Sequence, residues 1–529
     1  GQFHDPLQNL KHPKTAVILG CGAYRIGTSV EFDWCAVSCS ETLQKSNWNS
    51  IIINCNPETV STDYNSSDKL YFEELSLERI LDICDIENPD GVIASMGGQT
   101  PNKLALPLSE AGLKLLGHSV FSIDHAEDRY KFSKLLDRIG VDQPRWISAT
   151  DRSDIVRFCD DVGFPVLVRP SYVLSGAAMR VAYDAQSLTS FLDIAEQISR
   201  DHPVVVSEFI IGAREIEVDG LAQNGKILSM IVSEHIENAG VHSGDATMVV
   251  PAQKLYVETV RRIRKATKAI ASELKLNGPF NIQFLAKQNH IRVIECNARA
   301  ARTFPFISKV VGQNFAEAAT SIMLGQTPVM RYIKEDDLPH VGVKAAMFSF
   351  TRLPGVDPIL GVEMASTGEV GCIGTDLEEA LLLAMQASYL RPPKKGILVS
   401  AGPEHEKIKF LQSARIFQDL GLPLYATEGT AQYLADHGVS VTALSWPGQG
   451  EKDVLHAIRA GLVDFVINIP KNLQKNELSH GAKIRQTAIN YNCSIITNME
   501  KLTAYVFALH SYRGFLESHV PRPLPHFIG

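Results

Sequence analysis

Hydrophobic positions in this chain fall in short runs that stop at glycine, asparagine or proline, and the spacing of the runs changes along the chain. Residues 15–19 (TAVIL) are continuously apolar and lead into a glycine loop at 20–27; a second run ends at 51–54 before NPETVSTD, and a third, GVIASMGG, closes at 98. Unbroken apolar runs of this length predict strands covered on both faces. With helical stretches between them they predict a doubly wound α/β unit whose loops at the strand C-termini form a site. From about 129 to 325 the pattern becomes α+β, with strands expected at 165–169, 203–209, 214–220 and 227–233, a hairpin at 281–297, and helices at 128–139 and 255–274. After RPPKKG (391–396) an α/β pattern returns: a strand GILVS, a helical stretch 404–420, and a strand LPLYAT running into Thr427, Glu428, Gly429 and Thr430. The expected domains are therefore 1–120, 121–392 and 393–529, in an α/β and α+β multidomain chain.

At 529 residues the chain is long enough for several cores, and 45% hydrophobic with 21% charged residues is ordinary for a globular protein. A net charge of −8 without a basic run gives no general attraction for nucleic acid. No apolar stretch approaches the roughly 18 residues of a membrane span. The nine cysteines are scattered and odd in number, as in a reduced protein without a disulfide framework. The first residues show no signal or transit pattern and no initiator methionine, so the chain is expected to be a piece of a longer protein.

The hairpin NIQFLAKQNHIRVIECNARAAR concentrates the chemistry. A turn at Gln288, Asn289 and His290 sets Gln283 across from Glu295, and Asn297 and Arg299 follow on the same face. Ile282, Phe284, Ile294 and Cys296 then face the core. Oxygen donors of this kind suit Mg²⁺, which takes one or two carboxylates plus substrate phosphates; a half-exposed hairpin with a polar outer face is the plain alternative. In FPVLVRPSYVLSG an apolar strand runs into Arg169 and a small-residue loop, a phosphate-binding arrangement. The alternating acids of REIEVDG place Glu215 for a ribose, although a solvated strand face is the commoner meaning. His235, Glu237, His242 and Asp245 in the glycine-containing loop EHIENAGVHSGDA lack the spacing of a zinc site. Gly20 and Gly22 lack the further glycine spacing and ribose-binding acid of a dinucleotide fold.

These motifs together carry a family resemblance. GCGAYRIGTSVEFDWC, NCNPETVSTDY, GGQTPN, AEDRYKF, VRPSYVLSGAAM, EHIENAGVHSGDAT, ECNARAARTFPF and MASTGEV resemble, in order over residues 15–370, the C-terminal synthetase half of carbamoyl-phosphate synthetase. The resemblance implies an ATP-grasp ligase that phosphorylates carbamate with ATP and Mg²⁺, Mn²⁺ being a possible substitute. It implies Gln283, Glu295 and Asn297 as metal ligands, and Arg129, Arg169, Arg299 and Arg302 as phosphate and carbamate contacts. Glu215, His242 and Ser243 fall where the family holds the nucleotide, and Glu31 and Glu58 where it lines a carbamate tunnel. For Glu58 a helix cap or a lysine pair is an equal alternative. Ala298, Ser175 and Ala177 depart from relatives without removing a ligand.

Residues 396–529 resemble the family's methylglyoxal-synthase-like regulatory domain, which implies an effector site at Thr427, Thr430, Trp446, Asn468 and Lys471. For each alone, a capped helix with Thr430 as N-cap and a buried Trp446 is an equal reading. The effector is a nucleotide such as UTP or N-acetylglutamate; Lys471 and Gly481, where the urea-cycle type has asparagines, favour the pyrimidine type. Neither NPETVSTD nor the hairpin recurs, and no glutamine amidotransferase segment appears. The implied partners are thus an N-terminal synthetase half and an amidotransferase part, in an oligomer, cytoplasmic for the pyrimidine type and mitochondrial for the urea-cycle type.

Overall fold

The computed structural model describes residues 13–514 apart from 27–29, 171–178, 199–202, 332, 334, 354, 356, 451 and 471–474. Ser175, Ala177, Lys471 and the end of the first glycine loop lie outside the described residues. The first apolar runs form a parallel sheet in the order Lys69–Phe72, Trp48–Asn54, Lys14–Leu19, Gly91–Ile93. Its centre is apolar on both faces, as the unbroken runs require: Ala16 to Leu19 and Ile51 to Ile53 are buried. Asn54, at the C-terminal end of its strand, accepts the Gly22 and Cys55 N–H groups at 3.0 Å and donates to Ser61 Oγ at 3.0 Å. One amide thereby holds two of the loops along that edge together.

The middle of the chain builds two antiparallel sheets. A small one has the order Trp146–Ala149, Val204–Glu208, Val166–Pro170, Arg180–Ala182. A seven-stranded one begins His290–Asn297, Gly278–Lys287, Arg214–Gln223, Lys226–Asn238 and continues through Met248–Val250, Val341–Met347 and Gly368–Gly374. The strand expected at 227–233 extends to Asn238, so His235 and Glu237 sit on a strand rather than in a loop. The hairpin turn also differs from expectation. It has two residues, Gln288 and Asn289, with Gln288 at a φ of 57°. Lys287 therefore pairs with His290 and Phe284 with Val293, until a bulge at Ile294 restores Gln283 opposite Glu295. The bulge moves Val293 into the core and leaves Ile294 half-buried.

The acids of Arg214–Gln223 correct the sequence reading in a second way. Glu215, Glu217 and Asp219 are 8%, 3% and 0% exposed, not a solvated face. The strand is central: Ile216 and Val218 enter the core on one side, while polar groups of neighbouring strands cover the acids on the other.

A five-stranded parallel sheet, ordered Thr442–Leu444, Leu424–Thr427, Ile397–Ala401, Phe465–Ile469, Ser494–Ile496, ends the fold. It shares one core with Val341–Met347 and the helix Leu377–Ala387. Asp464 further accepts the N–H groups of Lys394, Lys395 and Gly396, fixing the RPPKKG connection.

A backbone bond joins the first unit to the segment after the hairpin, and a close glycine contact packs the first unit's own loops. The Ala300 N–H donates to Ser95 O at 2.8 Å, and a Cβ on Gly97 would lie 2.3 Å from Gly20 O, a backbone atom with no rotamer to yield. Gly97→Ala is expected to destabilise the N-terminal unit by about 1–3 kcal/mol, read as a lower urea midpoint of its unfolding transition.

Candidate active site

The register of three strands assembles the site. Glu217 pairs with Gln283 and Gln283 with Glu295; one step along, Asp219 pairs with Asn281 and Asn281 with Asn297. Because side chains alternate with a period of two, both rows project to one face. At its open end, Asn297 Nδ2 donates to Glu295 Oε1 at 3.0 Å and Arg299 Nη2 to Asn297 Oδ1 at 3.1 Å. Gln283 Nε2 lies 3.4 Å from Ser243 Oγ. The sequence-predicted metal ligands are thus brought together, one carboxylate with two amides. That donor set fits Mg²⁺ when nucleotide phosphates supply further oxygens and charge. Among the described residues no cluster of three His, Cys, Asp or Glu side chains with metal-binding geometry occurs.

Below the open end lies a buried polar layer. Asn281 Nδ2 donates to Glu217 at 2.9 Å and to Asp219 at 3.0 Å, while Thr303 Oγ1 donates to Asp219 at 2.7 Å. His235 Nε2 lies 3.1 Å from Glu217. Burial opposes charge on both, but their mutual hydrogen bond together with neighbouring charges, and for Glu217 the Asn281 amide, outweighs it, raising His235 and lowering Glu217. Burial pushes Glu215 up to about 7.

Cations ring the open end. Arg129 Nη1 donates to Ile294 O at 2.7 Å, the carbonyl released by the bulge, and its guanidinium lies 5.5 Å from the Trp146 ring. Burial and then Arg169 lower Arg129 from its usual value. Arg299 is buried, with its guanidinium 5.8 Å from the Phe32 ring. Arg302 Nη1 is 2.6 Å from Met364 Sδ, and Arg169 is exposed at the end of its strand. His242, which accepts the Gly244 N–H at 3.0 Å through Nδ1, is held near a pKa of about 3 by burial and then Arg302, and is neutral at physiological pH.

Two further residues belong here that sequence reasoning missed, Lys103 and Lys344, beside the expected Glu31. Lys103 follows GGQTPN; burial, with Arg169, Arg25 and Arg299, lowers its pKa against the pull of Glu127. Lys344 Nζ pairs with Glu369 at 3.3 Å and lies 3.5 Å from Ser243 O. The signal for Lys344 was available: a lone lysine in the otherwise apolar strand VGVKAAM. Glu31 Oε2 is buried without a hydrogen-bond partner among the described residues at the start of Glu31–Lys45, and its charge acts on Arg302, Lys344 and Glu369. Glu58 is exposed. Thr59, not Glu58, caps the following short helix, and no lysine pairs with Glu58 among the described residues, so neither plain alternative holds.

At the C-terminal edge of the five-stranded sheet, Thr427, Thr430 and Asn468 are buried close together at neighbouring strand ends. Thr430 is not an N-cap. That position belongs to Thr427, without a side-chain cap bond, and Thr430 Oγ1 instead bonds both the N–H and the C=O of Ala401 at 3.2 Å. Trp446 is half-buried, 5.9 Å from the His480 ring. Asn468 Oδ1 accepts from the buried Arg485, which sequence reasoning also missed.

The fold is similar to that of a biotin carboxylase domain from Hydrogenobacter thermophilus, with a TM-score of 0.57 and 15% identity over 72% of this chain and 90% of that one. Fold and site define an ATP-grasp ligase, an enzyme that uses ATP. The chain belongs to the carbamoyl-phosphate synthetase family: the carbamoyl phosphate synthase preATP-grasp domain matches residues 12–125, the carbamoyl-phosphate synthase L chain ATP-binding domain 128–329, and an MGS-like domain 409–497. It is 50% identical to the multifunctional protein pyr1-3 of Dictyostelium discoideum, over 95% of this chain and 23% of that protein. It is 45% identical to the mitochondrial carbamoyl-phosphate synthase [ammonia] of Aquarana catesbeiana, over 95% of this chain and 34% of that protein. The chain therefore spans between about a quarter and a third of the length of these curated relatives. No described helix is long and apolar enough to cross a membrane.

Glu215 supplies a pH test. Because burial raises its pKa from 4.5 to about 7, the folded chain binds a proton there that the unfolded chain has lost between those values, so its contribution to stability falls as pH rises through that window. Glu215→Gln removes that loss. Between pH 4 and pH 8 the stability difference should move in the variant's favour by up to about 3 kcal/mol, measured by urea unfolding at both pH values.

Proposed function

We propose that this chain phosphorylates carbamate with MgATP to give carbamoyl phosphate and ADP, as the C-terminal synthetase half of a pyrimidine-pathway protein. The observation that carries this reading is the row Glu217–Gln283–Glu295, which opens among Arg129, Arg169, Arg299 and Arg302. Gln283, Glu295 and Asn297 would hold Mg²⁺, which supplies charge neutralisation at the phosphates when bound. The same face of Gly278–Lys287 carries Leu285 to a cavity of about 230 Å³, apolar at Ile210 and Ala213 and rimmed by Lys287, Gln288, His290 and Arg292, which would take the nucleotide base. Glu215, across from Leu285, takes the ribose hydroxyls, and Ser243 and the neutral His242 approach the phosphates.

The chemistry asks little covalent work of the protein. A carbamate oxygen forms a bond to the γ-phosphorus as the bond to ADP breaks, and the electron pair leaves with ADP; no proton moves. Two anions must be held in line while charge spreads over the transferred oxygens, a task of positioning and electrostatic stabilisation. Buried Arg299 and half-buried Arg302 act strongly because little water reaches them. Carbamate decomposes in water, which favours delivery through the protein, with Glu31 and Glu58 along the route. The partners would be the other synthetase half and an amidotransferase part, within an oligomer in the cytoplasm. Domains at 1–120, 121–392 and 393–529 fit this division.

The regulatory site would take an anionic effector at Thr427, Thr430, Trp446, Asn468 and Lys471. Gly481 favours a nucleotide such as UTP over N-acetylglutamate: a Cβ there would lie 2.7 Å from Arg485 Nη1 and 3.5 Å from Asn468 Oδ1. The asparagine of the urea-cycle type would fill that space.

The test is ATP formation from carbamoyl phosphate and MgADP by this chain. The native chain should make ATP, and Glu295→Ala should lower the rate by a factor of about 100 or more. Equal rates for the two would remove Glu295 from the site, and absence of ATP with MgADP bound would overturn carbamate phosphorylation by this half alone.

A further inference from the structure

Arg485 is the largest of the fully buried side chains among the described residues, and it faces two ways. Its Nη1 donates to Asn468 Oδ1 at 2.5 Å in the proposed effector site. Its Nε and Nη2 donate in parallel to the two carboxylate oxygens of Asp357, at 2.6 and 2.5 Å. A planar guanidinium offers this fork to a single carboxylate or phosphate at a time.

Asp357 begins a stretch that runs directly to the phosphoryl-transfer site. Pro358 O accepts from Thr497 Oγ1 at 3.2 Å, still on the C-terminal unit. Gly361 O accepts the His242 N–H at 2.7 Å, and Met364 Sδ meets Arg302. The Ala365 and Ser366 N–H groups both donate to Asp245 at 2.9 Å, in the same loop as His242 and Ser243. Ten residues of chain thus carry one end on Arg485 and the other on the phosphate loop.

We propose that Arg485 is a positioning residue that an anionic effector takes from Asp357. With Asp357 bound, the 357–366 segment holds His242 and Arg302 in place for MgATP. A phosphate-bearing effector seated beside Asn468 becomes the partner of the Arg485 fork, and Asp357 with its segment is released. Effector binding and the nucleotide-competent segment are then mutually exclusive, so the effector inhibits. By linkage, nucleotide at the active site weakens effector binding by the same factor. This inference rests on the effector reading above and adds the route by which the two sites communicate.

The experiment is calorimetric binding of MgADP and of UTP to this chain, each with and without the other. In the native chain UTP should weaken MgADP by about fivefold or more. Asp357→Asn keeps one acceptor oxygen for Arg485 but removes the charge. It should weaken MgADP alone, tighten UTP, and bring the coupling ratio close to one. Asp357→Glu, which restores the carboxylate, should recover part of the coupling and shows that the asparagine variant's behaviour is not loss of fold. Native coupling and native UTP affinity in Asp357→Asn would overturn the relay, as would a native chain in which UTP fails to bind or leaves MgADP unaffected. Failure of the carbamate reading appears separately, as no ATP from carbamoyl phosphate while these binding constants keep their pattern.

Discussion

Burying an ionised carboxylate is costly unless hydrogen bonds and opposite charge surround it, and the central strand Arg214–Gln223 buries Glu215, Glu217 and Asp219 in five residues. The fold meets this demand from several directions. Asn281 bridges Glu217 and Asp219, Thr303 reaches Asp219, His235 pairs with Glu217, and the charge of Lys344 favours the ionised form of both, although burial and Glu217 still push Asp219 up to about 7. Each partner comes from a different element, so the strands can hold only the register that satisfies them all. The same register lines up Gln283 and Glu295 with Glu217, which connects the hairpin to the buried layer.

That layer also explains why the unit before the antiparallel sheets belongs to the site. The Ser95 carbonyl accepts the Ala300 N–H and Phe32 lies against the Arg299 guanidinium, so the segment carrying that arginine is held by, and gains an aromatic face from, residues over 200 positions upstream. On the opposite side, the five-stranded sheet shares its core with the strand that bears Lys344. Three units that look separable in sequence are connected through one polar centre.

Much of this was legible in the residues, for reasons that can be stated. Alternation along a strand is set by backbone geometry, so the face shared by Gln283, Glu295, Asn297 and Arg299 could be read directly. Their pairing was correct even though the turn was one residue shorter than expected, because the bulge at Ile294 compensates; a bulge changes register without changing composition, and nothing in the alternation announces it. The acids of REIEVDG were misread because a single strand does not reveal what covers it. His235, Asn281 and Thr303 lie 18, 64 and 84 residues from their partners in Glu217 and Asp219. Arg485 and Asp357, separated by 128 residues, were invisible for the same reason, whereas Thr427 and Thr430 announced themselves where a strand turns into a helix.

The hairpin face is the proposed metal–nucleotide site. Electron paramagnetic resonance of Mn²⁺ bound to this chain with ADP tests it most directly. The native chain should show protein-bound Mn²⁺ in the presence of ADP whose signal is lost or strongly weakened by Glu295→Ala, with thermal unfolding unchanged. An unaltered Mn²⁺ signal in that variant would contradict the assignment and place the metal elsewhere in the molecule.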